Sequence, residues 1–181
     1  MNLIQHHILN ENRIKMIEEK VHISEELEPI LKQVSDPEIP VLSIIDLGVV
    51  RSAEFNNGIA EVKITPTYSG CPAMDVIGDD IKAALLEAGY EAKVDLILSP
   101  AWSTDWITEE GRQALEDYGI AAPLEASADK KALLGETQVV KCTNCGSKNT
   151  QIVSQFGSTA CKALFKCNDC QEPFDYFKCL I

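Results

Sequence analysis

The end of the chain is constrained by two cysteine pairs, each with the spacing C-x-x-C. The first pair is Cys142 and Cys145, the second is Cys167 and Cys170, and 21 residues separate them. Two residues between the thiols bring both sulfurs of a pair to one point, and four thiolates in a tetrahedral arrangement suit zinc. The pattern predicts a zinc ribbon over residues 139–181, with a four-thiolate iron site as the alternative and two disulfides disfavoured.

Charge and length limit the class of protein. The net charge is −12; five lysines and three acidic residues over 139–181 give +2, which leaves −14 for residues 1–138. Nucleic-acid binders need a basic face, so no nucleic-acid partner is expected. No apolar run approaches the about 20 residues of a membrane helix, and seven cysteines without an export signal favour reduced thiols. The sequence predicts a cytoplasmic protein with no membrane partner.

The middle of the chain alternates between helical and strand-like patterns. Asn56-Asn57-Gly58 is a strong turn signal between two strands, and Pro72 is a favoured first residue of a helix. The order α-β-β-α-β-α predicts an α+β fold, with a small mixed sheet, helices packed on one face, and the C-terminal zinc-ribbon module. The predicted elements are helix 24–34, strands 47–55 and 59–65, a helix from 72 to 89, strand 92–98 and helix 108–118.

These patterns divide the chain into four parts. Residues 24–120 are predicted to form the α+β domain, preceded by an N-terminal extension over 1–23. Residues 121–138 are rich in Ala, Ser, Lys, Asp and Glu, which is typical of a linker. The 43 residues that follow cannot bury much core, so bound metal is expected to supply most of their folding free energy.

Cys71 is the isolated side chain with the most chemical interest. It lies between Gly70 and Pro72, directly before the predicted helix. The free amides at a helix N-terminus stabilise a thiolate, so the position predicts a lowered pKa and use as a metal ligand or nucleophile. A small buried residue at a helix start is the alternative interpretation.

Other candidates lie near strand ends and breaks. Asp36, Glu38 and Asp46 are polar candidates, with roles in turns and helix caps as the alternative. Trp102 and Trp106 are interpreted as hydrophobic cover for the sheet edge or as an interface anchor. Two further thiols beside the ribbon motif are interpreted as packing residues, with substitution for a ribbon ligand as the alternative for the first; they are Cys161 and Cys179.

Several of these segments resemble known families. Residues 24–120 resemble the small domain of iron–sulfur cluster assembly factors of the SufT type, through DPE at 36–38, IDLG at 45–48, TPTYSGCP at 65–72, PAW at 100–102 and ITEEG at 107–111. The ending resembles the PaaD family of phenylacetate degradation, also called the PaaJ subunit. That second likeness rests on CTNCGS at 142–147, FGSTACK at 156–162, the pair at 167 and 170, and EPFDYFKC at 172–179.

The resemblance implies an accessory role in a multicomponent di-iron monooxygenase, the phenylacetyl-CoA epoxidase. It implies a non-enzymatic maturation factor that helps to insert iron or an iron–sulfur cluster into the oxygenase and iron–sulfur reductase components. Transient cargo would be handled by Cys71, with Asp36, Glu38 and Asp46 as candidates beside it, and a homodimer would supply a second Cys71. The sequence has a single Glu-x-x-His spacing, Glu19 to His22, where a di-iron site needs two, and it has no glycine-rich phosphate loop, which fits that role.

Two other functions stay open at this point. One is a non-catalytic assembly subunit, in which the ribbon and the surface around Trp102 and Trp106 only dock partners. The other is a rubredoxin-like electron carrier built on the four-thiolate site.

Overall fold

The computed structural model describes residues 21–123 and 140–178. The predicted extension up to residue 20, most of the predicted linker and Cys179 lie outside the described residues. The first described unit, residues 21–119, contains four strands and three α-helices. It is named the assembly domain after the resemblance of its motifs. Its elements are β1 (His22–Ile23), α1 (Glu28–Leu31), β2 (Val50–Asn56), β3 (Ile59–Ile64), α2 (Ala73–Glu87), β4 (Ala92–Leu96) and α3 (Glu109–Asp117).

The first sheet is mixed and has the strand order β1-β2-β3-β4. β2 and β3 form the predicted antiparallel hairpin, while β1 and β4 each pair in parallel with a neighbour. Asn57 and Gly58 connect the hairpin with φ values of 52° and 83°. Positive φ at both turn residues gives a twist that matches the flanking strands.

One face of this sheet is buried against helix α2. Ile77, Ile81 and Leu85 recur at four-residue spacing on α2, and each is at most 1% exposed. They share one apolar cluster with alternate residues of β3, including Val62, whereas Lys63 on the other face is exposed. The prediction of an α+β fold with a small mixed sheet is confirmed.

The predicted helix over 24–34 is wrong in length, since α1 spans only Glu28–Leu31. Pro29 lies in its first turn, and the chain then turns at Asp36, whose carboxylate accepts bonds from the amides of Glu38 and Ile39 at 2.8 and 2.9 Å. The predicted start of β2 at residue 47 is also wrong, because Gly48 has a φ of +71° within a turn. A built Cβ there would lie 2.6 Å from a backbone oxygen of Trp106.

The second sheet contains the ribbon strands and has the order β5-β8-β7-β6. β7 pairs antiparallel with both β6 and β8, whereas β5 adds to β8 in parallel. Its strands are β5 (Ile120–Ala121), β6 (Thr150–Ser154), β7 (Lys162–Cys167) and β8 (Pro173–Phe177). β5 follows α3 directly, so the sheet begins before the linker. Among the described residues, no helix combines the length and apolar character needed to cross a membrane.

Candidate metal centre and thiol site

The four ribbon cysteines meet at one end of the second sheet. The sulfurs of Cys142, Cys145, Cys167 and Cys170 all lie within 4.8 Å of one another. Cys142 Sγ is 3.6 Å from Cys170 Sγ, and Cys145 Sγ is 3.7 Å from Cys167 Sγ. These separations exclude disulfides, whose S–S bond is about 2.05 Å. A tetrahedral centre with metal–sulfur bonds of about 2.3 Å spaces its sulfurs about 3.8 Å apart, so the geometry fits a bound metal.

Two tight turns position these sulfurs. In the first, the amide of Gly146 donates to the carbonyl of Cys142 at 2.9 Å, and Gly146 has a φ of +71°. In the second, the amide of Cys170 donates to the sulfur of Cys167 at 3.5 Å. Gln171 follows with a φ of 65°, which an L side chain rarely adopts. Each C-x-x-C pair is thus held by its own backbone.

Polar side chains tie the two turns together. Asp169 accepts a hydrogen bond from Ser147 Oγ and a second from Asn149 Nδ2 at 2.7 Å. Both bonds favour the carboxylate and lower its pKa. The backbone carbonyl of Asn149 also accepts a hydrogen bond from the backbone amide of Asn168 at 2.8 Å. The site is therefore braced across the sheet end as well as within each turn.

The crowded thiols cannot all ionise without a cation. The backbone amide of Cys170 donates to Cys167 and lowers its pKa to about 7. For Cys145 the amide of Ser147 favours the thiolate, but the hydrogen bond to Cys170 and burial raise the pKa to about 12. A metal replaces the protons that neighbouring thiols otherwise hold. The chain therefore carries a four-thiolate metal-binding site.

Cys71 lies in the loop between β3 and α2. Its amide donates to the carbonyl of Tyr68 at 3.1 Å, and its side chain is half-buried. The amide of Ala73 and the hydroxyl of Thr67 donate to its sulfur. Helix α2 starts at Ala73 with Pro72 as its N-cap, close to the predicted start. Thr67 and Tyr68 also line an open groove of about 240 Å³, with Leu98 and Trp102 on its other side.

The predicted lowering of the Cys71 pKa is wrong. Burial raises the pKa of this thiol and outweighs the Ala73 amide that favours the thiolate; Glu38 and Asp36 raise it further. The negative charges of these two carboxylates disfavour a further negative charge on the Cys71 sulfur. In the absence of a bound cation, Cys71 is thus a protonated thiol at neutral pH rather than an activated nucleophile.

The charges of two of the three predicted acidic candidates, Asp36 and Glu38, act on Cys71. Asp36 is 8% exposed, and burial raises its pKa although it accepts bonds from the amides of Glu38 and Ile39. Glu38 follows on the same turn. Asp46 instead joins a turn to helix α3: its carboxylate accepts from Ser43 Oγ at 2.6 Å and from Thr108 Oγ1 at 3.0 Å.

Cys161 is a packing residue, as the sequence interpretation preferred, and it does not take the alternative role of a ribbon ligand. The structure keeps it apart from the four ribbon sulfurs and packs it in the core of the assembly domain, 5% exposed. Its thiol donates to Glu38 Oε2 at 3.5 Å, and Thr159 Oγ1 lies 3.0 Å from its sulfur. The only sequence signal for this contact is an additional thiol outside the C-x-x-C spacing, which does not reveal its distant neighbour.

The two tryptophans have separate environments. Trp102 is 4% exposed, donates from Nε1 to the carbonyl of Leu47 at 3.0 Å, and packs edge-on against Phe177 of the ribbon at 6.0 Å. The guanidinium of Arg51 lies 3.6 Å from the ring centre of Trp106, a cation–π contact. Trp102 therefore belongs to the contact between the two described units.

Comparison with known proteins assigns both units. Residues 24–96 match the family model of an iron–sulfur cluster assembly protein, and residues 126–178 match that of the PaaD zinc beta ribbon domain. The chain is 45% identical over 156 residues to a proposed 1,2-phenylacetyl-CoA epoxidase component from Escherichia coli (strain K12), across 86% of this chain and 92% of that protein. This chain belongs to the PaaD family. The resemblance seen in the motifs of both units is confirmed.

The assembly domain also has relatives without the ribbon. An Fe-S protein maturation auxiliary factor of Porphyromonas gingivalis is 34% identical over 98 residues, which cover 52% of this chain and 92% of that protein. A solved domain of unknown function, DUF59, from Bacillus anthracis is 30% identical, with a TM-score of 0.47 over 50% of this chain and 88% of that one. This chain thus joins a domain that makes up nearly the whole of the Porphyromonas gingivalis factor to a metal-binding ribbon.

Proposed function

We propose that this PaaD-family protein is a non-catalytic maturation factor for a phenylacetyl-CoA epoxidase, and that it assists insertion of iron or an iron–sulfur cluster through Cys71. Its predicted clients are the oxygenase and iron–sulfur reductase components. The proposal is supported by the 45% identity to the E. coli protein and by the likeness of the assembly domain to a maturation factor. These relatives support a role in a phenylacetyl-CoA epoxidase system, and Cys71 supplies a thiol that can bind iron.

The observation that carries the proposal is a half-buried thiol that feels the charge of two carboxylates and follows a loop, Thr65 to Ser69, that lines an open groove. Thiolate and carboxylate ligands both bind iron, and an open site can release what it holds. Over residues 21–123 and 140–178, the one group of at least three converging ligands is the four ribbon cysteines. A closed four-thiolate set of that kind is structural. The oxidation itself is therefore assigned to another component.

Zinc is the metal we propose for the ribbon. The domain matches a zinc ribbon family, and its four sulfurs lie within 4.8 Å of one another, as a four-thiolate zinc site requires. Elemental analysis of protein purified anaerobically from its native host should give one zinc per chain and no visible absorption from this site. Stoichiometric iron and a coloured ferric four-thiolate spectrum would instead support the electron-carrier function.

Replacing Cys71 tests the maturation function in cells. Cys71→Ala should leave the fold and zinc content unchanged, since it removes one half-buried sulfur. Iron content of the purified oxygenase and reductase should fall, because the cargo loses its thiolate. Ser69→Ala, in the same loop, is the matched control. Fully metallated clients with Cys71→Ala would show that the protein only docks and assembles components.

Catalysis is tested separately. The purified zinc-loaded protein alone should neither oxidise phenylacetyl-CoA nor reduce a flavin or nicotinamide. Turnover without any other component would overturn the accessory function.

A further inference from the structure

The strongest unassigned feature is the environment of Cys161, a ribbon residue that lies in the other unit's core. The turn before β7 carries it there, and the carbonyl of Cys161 accepts a hydrogen bond from the amide of Lys178 at 2.9 Å. Its neighbour Phe177 belongs to the same core cluster. The position is fixed by backbone pairing and packing on both sides of the thiol.

Cys161 contacts Glu38, and Cys71 packs against the same core cluster that contains Cys161. Glu38 accepts from the Cys161 thiol at 3.5 Å, and the charges of Glu38 and Asp36 act on both sulfurs. Tyr68 is a hydrogen-bond partner of Cys71 and also feels the charge of Cys161. Two thiols that are 90 residues apart in sequence therefore meet at one core cluster, and the charges of Glu38 and Asp36 raise the pKa of both.

Two lysines from the ribbon balance part of this negative charge. Burial lowers the pKa of Lys178, which is 2% exposed, and the charge of Cys161 acts in the opposite direction. Lys162 is 7% exposed, lies 3.8 Å from Asp175, and its charge lowers the pKa of Asp36. A buried cation beside a thiol favours its ionised form, which is the form that binds metal. Burial and the adjacent carboxylates act in the opposite direction and keep the free thiol of Cys161 protonated, with a pKa of about 11.

We propose that Cys161 is the second thiolate ligand for the iron cargo held by Cys71, with Glu38 as a carboxylate ligand between them. This inference rests on the proposed function of Cys71 and removes the need for a second copy of the chain to complete the site. Among the described residues these three ligand atoms do not converge as the ribbon sulfurs do. The ligands are therefore not preassembled, and the proposed site holds cargo only transiently. Binding releases the thiol protons to solvent, and no change of oxidation state is required.

Anaerobic titration of zinc-loaded protein tests the site, with ferrous iron alone in one series and with sulfide plus a mixture of ferrous and ferric iron in the other. We expect one thiolate-bound cargo per chain in a monomer, detected by sulfur-to-iron absorption; the two series distinguish a single ion from a cluster. Cys71→Ala and Cys161→Ala should each weaken binding at least about 100-fold, beyond the 10–100-fold cost of losing an outer-shell partner. Ser158→Ala, which removes an exposed bond to Asp175 in the same loop, is the control.

A second measurement guards against misfolding of Cys161→Ala. In the unmodified protein, iron should protect both Cys71 and Cys161 from slow alkylation, as read by peptide mass spectrometry, while zinc content stays constant. Protection of Cys71 without Cys161, or binding lost only in Cys71→Ala, would overturn the inference and point to a second chain or a client as ligand donor. Iron binding unchanged in Cys71→Ala, together with metallated clients, would overturn the proposed function itself.

Discussion

The assembly domain and the ribbon are stabilised by different means. Within the described residues, 24 buried side chains form the core cluster of the assembly domain, whereas eight form that of the ribbon. Two of those eight, Cys142 and Cys167, are metal ligands themselves. Burial can account for the first fold, but so small a core needs its metal, which is worth about 10–16 kcal/mol of apparent binding in small zinc peptides.

The contact between the units makes this difference useful. Phe177 and Cys161 come from the ribbon but lie in the larger core, and β5 adds to the ribbon sheet directly after helix α3. The ribbon thus brings Cys161 to a site whose other groups belong to the assembly domain. The four ribbon sulfurs bind their own metal. The ribbon can therefore hold Cys161 in position and leave that thiol available for another ion.

Loss of the metal is expected to cause the largest difference in stability between the two units. Cys167→Ser deletes a buried ligand from a closed site, so β6, β7 and β8 should lose their amide protection. Hydrogen exchange read by mass spectrometry should still show protection across β2, β3 and α2. Ser158→Ala is the control, since it leaves all four sulfurs in place. Full protection of the ribbon in metal-free protein would mean that its small core suffices.

Trp102→Ala should weaken the contact between the units without removing the metal. The indole is buried, packs on Phe177, and donates to the carbonyl of Leu47. Truncating a buried aromatic costs about 3–5 kcal/mol, which urea unfolding of the assembly domain would measure. Trp102→Phe is the matched variant, because it restores ring packing but not the hydrogen bond.

Trp102→Ala can also be combined with a change at Phe177 to measure how strongly the two rings interact. With Phe177→Leu as partner, a double-mutant cycle should give about 0.5–1.5 kcal/mol of coupling, the range for aromatic pairs beyond area burial. Zinc content should be unchanged in all variants. Loss of zinc from Trp102→Ala would show that the ribbon depends on the larger core, contrary to the difference described above.

Local signals in the sequence predicted much of the fold. The hairpin follows from Asn57-Gly58 and helix α2 from the apolar spacing of Ile77, Ile81 and Leu85. Helix α3 agrees with the predicted helix over 108–118, and the structure adds Thr108 as its N-cap, whose hydroxyl accepts from the amide of Gly111 at 3.0 Å. β1 was missed, because two residues show no periodicity. Its pairing with β2 depends on a sheet edge that local patterns do not reveal.

The thiol site shows the same limit more clearly. The C-x-x-C spacing predicts that four sulfurs come together, because each pair is local. The position of Cys161 beside Glu38 depends on packing between residues 123 positions apart. The Cys71 pKa was predicted wrongly for a similar reason: the helix N-terminus is visible in sequence, but the burial and carboxylates that outweigh it are not.

The smallest expected effect distinguishes a structural carboxylate from a cargo ligand inside the assembly domain. Thr108→Ala removes both the N-cap bond to Gly111 and the bond to Asp46, so unfolding free energy should fall by about 1 kcal/mol, with Thr108→Ser as the conservative control.

Asp46→Asn should lower stability by a similar amount. Neither should change iron binding, because both Asp46 oxygens already accept hydrogen bonds from Ser43 and Thr108. Weaker iron binding by Asp46→Asn, at unchanged stability, would instead place Asp46 among the groups that handle cargo.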